Sequence, residues 1–149
     1  MEIYRVAFFG HRELQNCFAV RDEIEKILPD ILRKHEYVEF YVGRNGEFDE
    51  MAASAVKIAQ KQFGKQNSSL ILTLAYPIKN MEYYKDYYDD IVIPIDSDTH
   101  FKAAITKRNQ WMVDNADVII CYVARPSGGA YSALKYAKSK KLNIINLSD

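Results

Sequence analysis

The side chains of this protein that could do chemistry fall into a few short clusters. The first is Gly10-His11-Arg12-Glu13, directly after a short apolar run. A His-Arg pair there can hold a phosphate or ribose, the arginine offering a bidentate fork; the alternative is a solvated turn. The second is Gly43-Arg44-Asn45-Gly46-Glu47-Phe48-Asp49-Glu50, which opens a helical pattern. Three carboxylates in a first helical turn favour the helix dipole, which is their structural reading. They also disfavour a bare phosphate, and suit ribose hydroxyls or a general base, for which Asp49 comes first and Glu47 second. The third is Pro126-Ser127-Gly128-Gly129-Ala130-Tyr131-Ser132. Two glycines opening a helix, flanked by hydroxyls and free of acids, make an anion nest and the best phosphate candidate of the chain, with Ser127, Gly128, Gly129 and Ser132 as its residues.

A fourth feature is one residue on an apolar stripe. Phe101, Ala104, Ile105 and Met112 mark the buried side of a helix, and Arg108 falls on the same side. A guanidinium turned towards a sheet is costly unless paired or reaching into a crevice. Asp117 is the structural partner to expect; a ligand phosphate, with Asn109 assisting, is the functional one. Tyr76, Tyr83, Tyr84, Tyr87 and Tyr88 crowd the stretch before Pro94. They could cap a base, form a dimer surface or pack beneath a loop. His11, His35 and His100 stand in no ligand-spaced motif, so no metal site is expected. Cys17 and Cys121 belong to no CxxC or Cys/His cluster and read as small core residues in a reducing compartment.

The elements that must carry these clusters alternate. Ile3–Phe9, Val38–Val42, Leu70–Leu74, Val118–Val123 and Ile144–Leu147 are short apolar runs without strict alternation, as in parallel strands buried on both faces. Ile91–Ile93, stopped by Pro94, is a shorter sixth. Val20, Ile24, Ile27, Leu28, Ile31 and Leu32 predict an amphipathic helix that Pro29 should kink. Met51, Ala52, Ala55, Val56 and Ala59 predict a second, set close to the sheet by its small residues. Thr99–Ala116, capped by Thr99 or Asp98, and Gly129–Lys140 complete the set. Strand–helix alternation predicts an α/β fold, a single Rossmann-like doubly wound domain over residues 1–149 with a mostly parallel sheet. Gly10, Gly43, Gly46, Gly128 and Gly129 all follow strands, at the edge where open α/β sheets bind ligands. No GxGxxG is present, so the usual NAD fingerprint is missing and no cofactor is expected.

Composition narrows the function. The chain has 149 residues, 48% hydrophobic and 27% charged, as in an ordinary globular domain. Lys plus Arg number 20 and Asp plus Glu number 20, divided evenly between the two halves. With no basic arm, nucleic acid is an unlikely partner on this reading. No signal peptide is expected, nor any run near the ~18 apolar residues of a membrane span, so a cytoplasmic protein without a membrane partner is expected.

Taken together, Gly10-His11-Arg12, Gly43-Arg44-Asn45-Gly46-Glu47-Phe48-Asp49 and the stretch Lys107-Arg108-Asn109-Gln110-Trp111-Met112-Val113-Asp114-Asn115-Ala116-Asp117 resemble the SLOG superfamily. Ser127-Gly128-Gly129 through Leu134-Lys135-Tyr136-Ala137 extends the resemblance over nearly the whole chain. That superfamily unites the Smf-type DNA-processing proteins with the Lonely Guy phosphoribohydrolases, and the small stand-alone bacterial members are the most similar. The resemblance implies a Rossmann-like fold, a nucleotide or nucleotide-sugar ligand (phosphoribosyl or ADP-ribose-like) at the glycine-rich crevice, and a role for Arg108 as the family's helix arginine. Related proteins often dimerise, which leaves a homodimer open. One departure matters. The phosphoribohydrolases carry a catalytic glutamate in PGGxGTxxE, and Lys135 stands at that position. A nucleotide-binding protein is therefore the leading expectation. A hydrolase using Asp49 or Glu47 is the alternative, and a protein-interaction module built on the tyrosines the third.

Overall fold

The computed structural model describes all 149 residues. Six strands form one parallel sheet: β1 (Ile3–Gly10), β2 (Tyr37–Val42), β3 (Ser68–Thr73), β4 (Asp90–Val92), β5 (Val118–Tyr122) and β6 (Asn143–Asn146). Their order is β4-β3-β2-β1-β5-β6. Between them run α1 (Cys17–Lys34), α2 (Glu47–Phe63), α3 (Met81–Tyr87), α4 (Phe101–Asn115) and α5 (Gly129–Ser139). The fold is the α/β Rossmann-like one that strand and helix alternation predicts.

Successive strand residues point to opposite faces, so a strand covered on both sides must be apolar at every position. In β1, Val6 and Phe8 enter a core with α1 and α2, while Ala7 and Phe9 enter a second core with α4 and α5. Ile24 and Leu28 of α1 and Val56 of α2 are fully buried in the first core. A Leu28→Ala truncation there would cost about 2–5 kcal/mol. Small residues at Ala52, Ala53, Ala55 and Ala59 let α2 lie close to the sheet. No helix is long and apolar enough to cross a membrane.

α1 runs unbroken through Pro29. Three local features differ from expectation. β4 is a three-residue edge strand set one residue earlier than Ile91–Ile93, with its ladder running from Asp90 to Val92. α4 is capped by His100, whose Nδ1 accepts from the Lys102 N–H at 3.2 Å, and not by Thr99 or Asp98. The tyrosine-rich stretch folds into α3 where the periodicity predicts no helix; none of its residues is buried, so it has no apolar stripe to read.

Candidate functional site

The chain reverses direction across the sheet between β1 and β5, since β1 leads outward to β2 on one side and β5 to β6 on the other. The carboxyl ends of these strands leave a crevice there. A cavity of about 380 Å³ occupies it, within the range of small-ligand sites. Its walls come from four segments: Gly10, His11 and Arg12 after β1; Gly43 and Asn45 after β2, with Asp49 of α2; Arg125 and Ser127–Gly129 after β5; and Ile105, Arg108, Asn109 and Met112 of α4.

Arg108 is 4% exposed, although it carries a full charge. Its Nε and Nη2 donate to Asn109 Oδ1 at 3.1 and 2.8 Å, and its Nη1 donates to the Thr73 carbonyl at the end of β3 at 3.2 Å. A guanidinium has five N–H groups, so each terminal nitrogen keeps one without an acceptor in the chain. Asp117 is not its partner: it sits at the amino edge of the sheet, where Oδ2 accepts the Arg5 N–H at 2.8 Å. The carboxylate that acts on Arg108 is Asp49, which does not close an ion pair within 4.0 Å. Burial lowers the arginine's pKa, and the Asp49 charge offsets it in part.

The two groups meet over Gly43. A Cβ there would lie 2.9 Å from Arg108 Nη1 and 3.1 Å from Asp49 Oδ2, so only glycine leaves both their places. Asp49 Oδ2 also accepts the Asn45 N–H at 2.8 Å. Burial nonetheless dominates and raises the Asp49 carboxyl to about 6, against the pull of the Asn45 N–H and Arg108. Glu47 has a different place. Its Oε1 accepts the Leu14 N–H at 2.7 Å, and its own N–H donates to the Arg12 carbonyl at 2.8 Å. It joins the first and second loops and does not line the cavity. Gly46 is outside it as well, and a Cβ there would run into the Arg12 backbone.

His11 is buried to 6% exposure, with Nε2 accepting the Ala124 N–H at 2.9 Å. That bond assigns the proton to Nδ1. Burial and then Arg125 push its pKa below the usual histidine value, so the ring is a neutral donor. Gly10 is required by packing, since a Cβ would collide with the Phe48 ring of α2. Gly128 differs: its φ of 91° with ψ of 177° is a backbone region nearly reserved for glycine, and no heavy atom comes within 4 Å of its Cβ position. Gly129 faces open space too, with only Asn109 Nδ2 at 4.0 Å. No side chain caps α5. Its first N–H groups and the positive end of its dipole therefore face the cavity. Ser132 is turned away and donates to the Gly128 carbonyl at 3.2 Å.

Of the residues singled out in the sequence, Gly10, His11, Arg12, Gly43, Asp49, Arg108, Asn109, Ser127, Gly128 and Gly129 meet at one cavity, while Gly46, Glu47 and Ser132 do not line it. Arg125 is a lining residue that sequence reasoning missed, one position ahead of the motif opened by Pro126; Asn45 lies inside the second motif but was given no role there. Three arginines, the α5 amino end and a donor histidine face one carboxylate, an arrangement fit to hold an anion.

No family model matches the sequence, and no curated protein shows significant similarity to it. Solved structures do. DNA processing protein A from Streptococcus pneumoniae superposes with a TM-score of 0.69 at 15% identity, over 95% of this chain and 49% of that one. DNA processing protein A from Helicobacter pylori superposes with a TM-score of 0.65 at 14% identity, over 95% of this chain and 63% of that one. This chain thus spans about half to somewhat under two thirds of their lengths. The Helicobacter protein has a described single-stranded DNA binding mode, which overturns the exclusion of nucleic acid drawn from balanced charge. Net charge is a sum over the whole surface and conceals cations gathered at one edge. The chain has the Rossmann-like fold of these DNA processing proteins.

Proposed function

We propose that the cavity binds the phosphate of a nucleotide-type ligand. The observation that carries this reading is Arg108, buried with two N–H groups unmatched, facing the uncapped end of α5 across open space above Gly128 and Gly129. Phosphate oxygens would accept from the first α5 N–H groups and from Arg108, with Ser127 and Asn109 at the sides. Arg12 and Arg125, both exposed, would attract the anion at the mouth. His11 Nδ1 and the Gly43–Asp49 wall would meet the sugar, which suits a phosphoribosyl or ADP-ribose-like group. A second reading places a phosphate of single-stranded nucleic acid at the same site. It is favoured by the binding mode of the Helicobacter protein that shares the fold.

Calorimetric titration with dTMP, ADP-ribose, ribose 5-phosphate and thymidine tests the common element. The phosphorylated compounds should bind and thymidine should not. Equal binding of thymidine and dTMP, or no binding by any of them, would refute a phosphate site.

A further inference from the structure

The segment joining β3 to β4, residues 74–89, lies outside the cavity yet holds much of the exposed aromatic surface of the molecule. Tyr83 is 73% exposed, Tyr76 41% and Tyr87 40%. Rings of this size ordinarily find cover, since each carries a large apolar area. Tyr87 has a local use: Lys57 Nζ stands 4.2 Å from its ring centre and donates to its carbonyl at 2.6 Å. Tyr83 and Tyr76 have no such cover.

Both connect to the cavity. Arg44 lies between Gly43 and Asn45, which line it. Its guanidinium sits 5.4 Å from the Tyr84 ring centre and Nη2 donates to Tyr84 Oη at 3.3 Å. Tyr84 in turn meets Tyr83 edge to face, with centroids 5.2 Å apart and planes at 90°. A chain of contacts therefore runs from the cavity wall through a cation to an open phenol ring. Tyr76 comes three residues after Thr73, the last residue of β3, whose carbonyl accepts from Arg108 at the cavity. On α3 Glu82 is paired with Lys85 at 3.0 Å, and Arg44 is in no ion pair, so its charge stays available.

Alternation of exposed rings and arginines beside an anion site matches what a single strand presents, a charged backbone with unpaired bases. We propose that Tyr83 and Tyr76 form a stacking platform for the unpaired bases of a single-stranded nucleic acid, one phosphate of which occupies the cavity. Arg44 would lie on the backbone between them. This rests on the cavity being a phosphate site and adds that the ligand is a strand and not a mononucleotide.

The test measures affinity against length in the intact protein, with dTMP by calorimetry and fluorescein-labelled dT2, dT4 and dT6 by anisotropy. Affinity should climb from dTMP to dT6. Tyr83→Ala and Tyr76→Ala should each weaken dT6 by about tenfold and leave dTMP unchanged, and Tyr83→Phe should retain dT6 binding. Arg44→Ala should also flatten the salt dependence, as loss of one phosphate contact does. Exposed positions make misfolding a minor concern, and unchanged thermal midpoints verify it. Binding of dTMP with no gain on lengthening overturns the platform alone, as does a dT6 affinity indifferent to both alanine variants. Binding of neither dTMP nor dT6 overturns the platform and the cavity reading together.

Discussion

Asp49→Asn separates two opposed accounts of the buried carboxylate beside Arg108. Were attraction between the two charges dominant, removing one partner of a buried pair would destabilise the fold by about 3–5 kcal/mol. The Asp49 carboxyl points the other way, for burial lifts it from 3.8 to about 6 despite Arg108 and the Asn45 N–H. The folded chain then holds a proton that the unfolded chain has already released. Stability falls as pH rises from 3.8 to about 6, and the whole penalty is present above that. A shift of about two pKa units at 1.36 kcal/mol each is roughly 3 kcal/mol. Asparagine mimics the protonated form and keeps an oxygen for the Asn45 N–H. The variant should therefore match the parent protein near pH 4 and exceed it by roughly 3 kcal/mol at pH 8, about 2–4 °C per kcal/mol for a domain of this size. Urea denaturation of both proteins at pH 4, 5, 6 and 8 measures the difference. A variant less stable than the parent at pH 8 would refute the dominance of desolvation.

Four other substitutions probe the site. Arg108→Met should weaken dTMP binding in calorimetry at least tenfold, because charge-assisted hydrogen bonds contribute about 1.5–3 kcal/mol; unchanged affinity with the fold intact would remove Arg108 from the site. Gly128→Ala should destabilise by about 1–3 kcal/mol through its backbone alone, since its φ of 91° is unsuited to alanine while the space around it is open. Gly129→Ala, where φ is not positive, should stay within about 0.5 kcal/mol of the parent in the same denaturation series. Gly10→Ala should cost at least about 1–3 kcal/mol, because the added methyl displaces Phe48, a fully buried ring; a near-neutral result in thermal melts would show that α2 shifts freely.

The apolar runs were enough to locate every strand to within a few residues, because a sheet covered on both faces leaves little freedom in what its strands can be made of. Arg108 was legible as an inward guanidinium from its place on the stripe of α4. Its partners were not. Asn109 is its own neighbour in sequence, and the Thr73 carbonyl belongs to β3, so neither bond has a pattern in residue types. Asp49 ranked ahead of Glu47 in sequence, and only the fold shows how far apart their roles are. Two residues of helical rotation send one to the Leu14 N–H and the other into the cavity. The gathering of Arg12, Arg108 and Arg125 was hidden by a balanced total charge, since they approach only after the sheet has folded. α3 was missed because a short helix with no buried residue leaves no periodic trace.

Glu47 grips the β1 loop both through its carboxylate and through its backbone, and Gly46 lies hard against Arg12. The first two loops are thereby one wall, shaped before any ligand arrives. Little ordering entropy remains to be lost on that side, so association should proceed without a slow closing step. Differences in affinity among ligands should then appear in how long each stays. On the opposite wall residues 124–129 run exposed from β5 to α5, anchored at their start by the Ala124 N–H on His11 Nε2. A substitution that frees the Leu14 N–H from Glu47 would undo the prebuilt wall and slow capture.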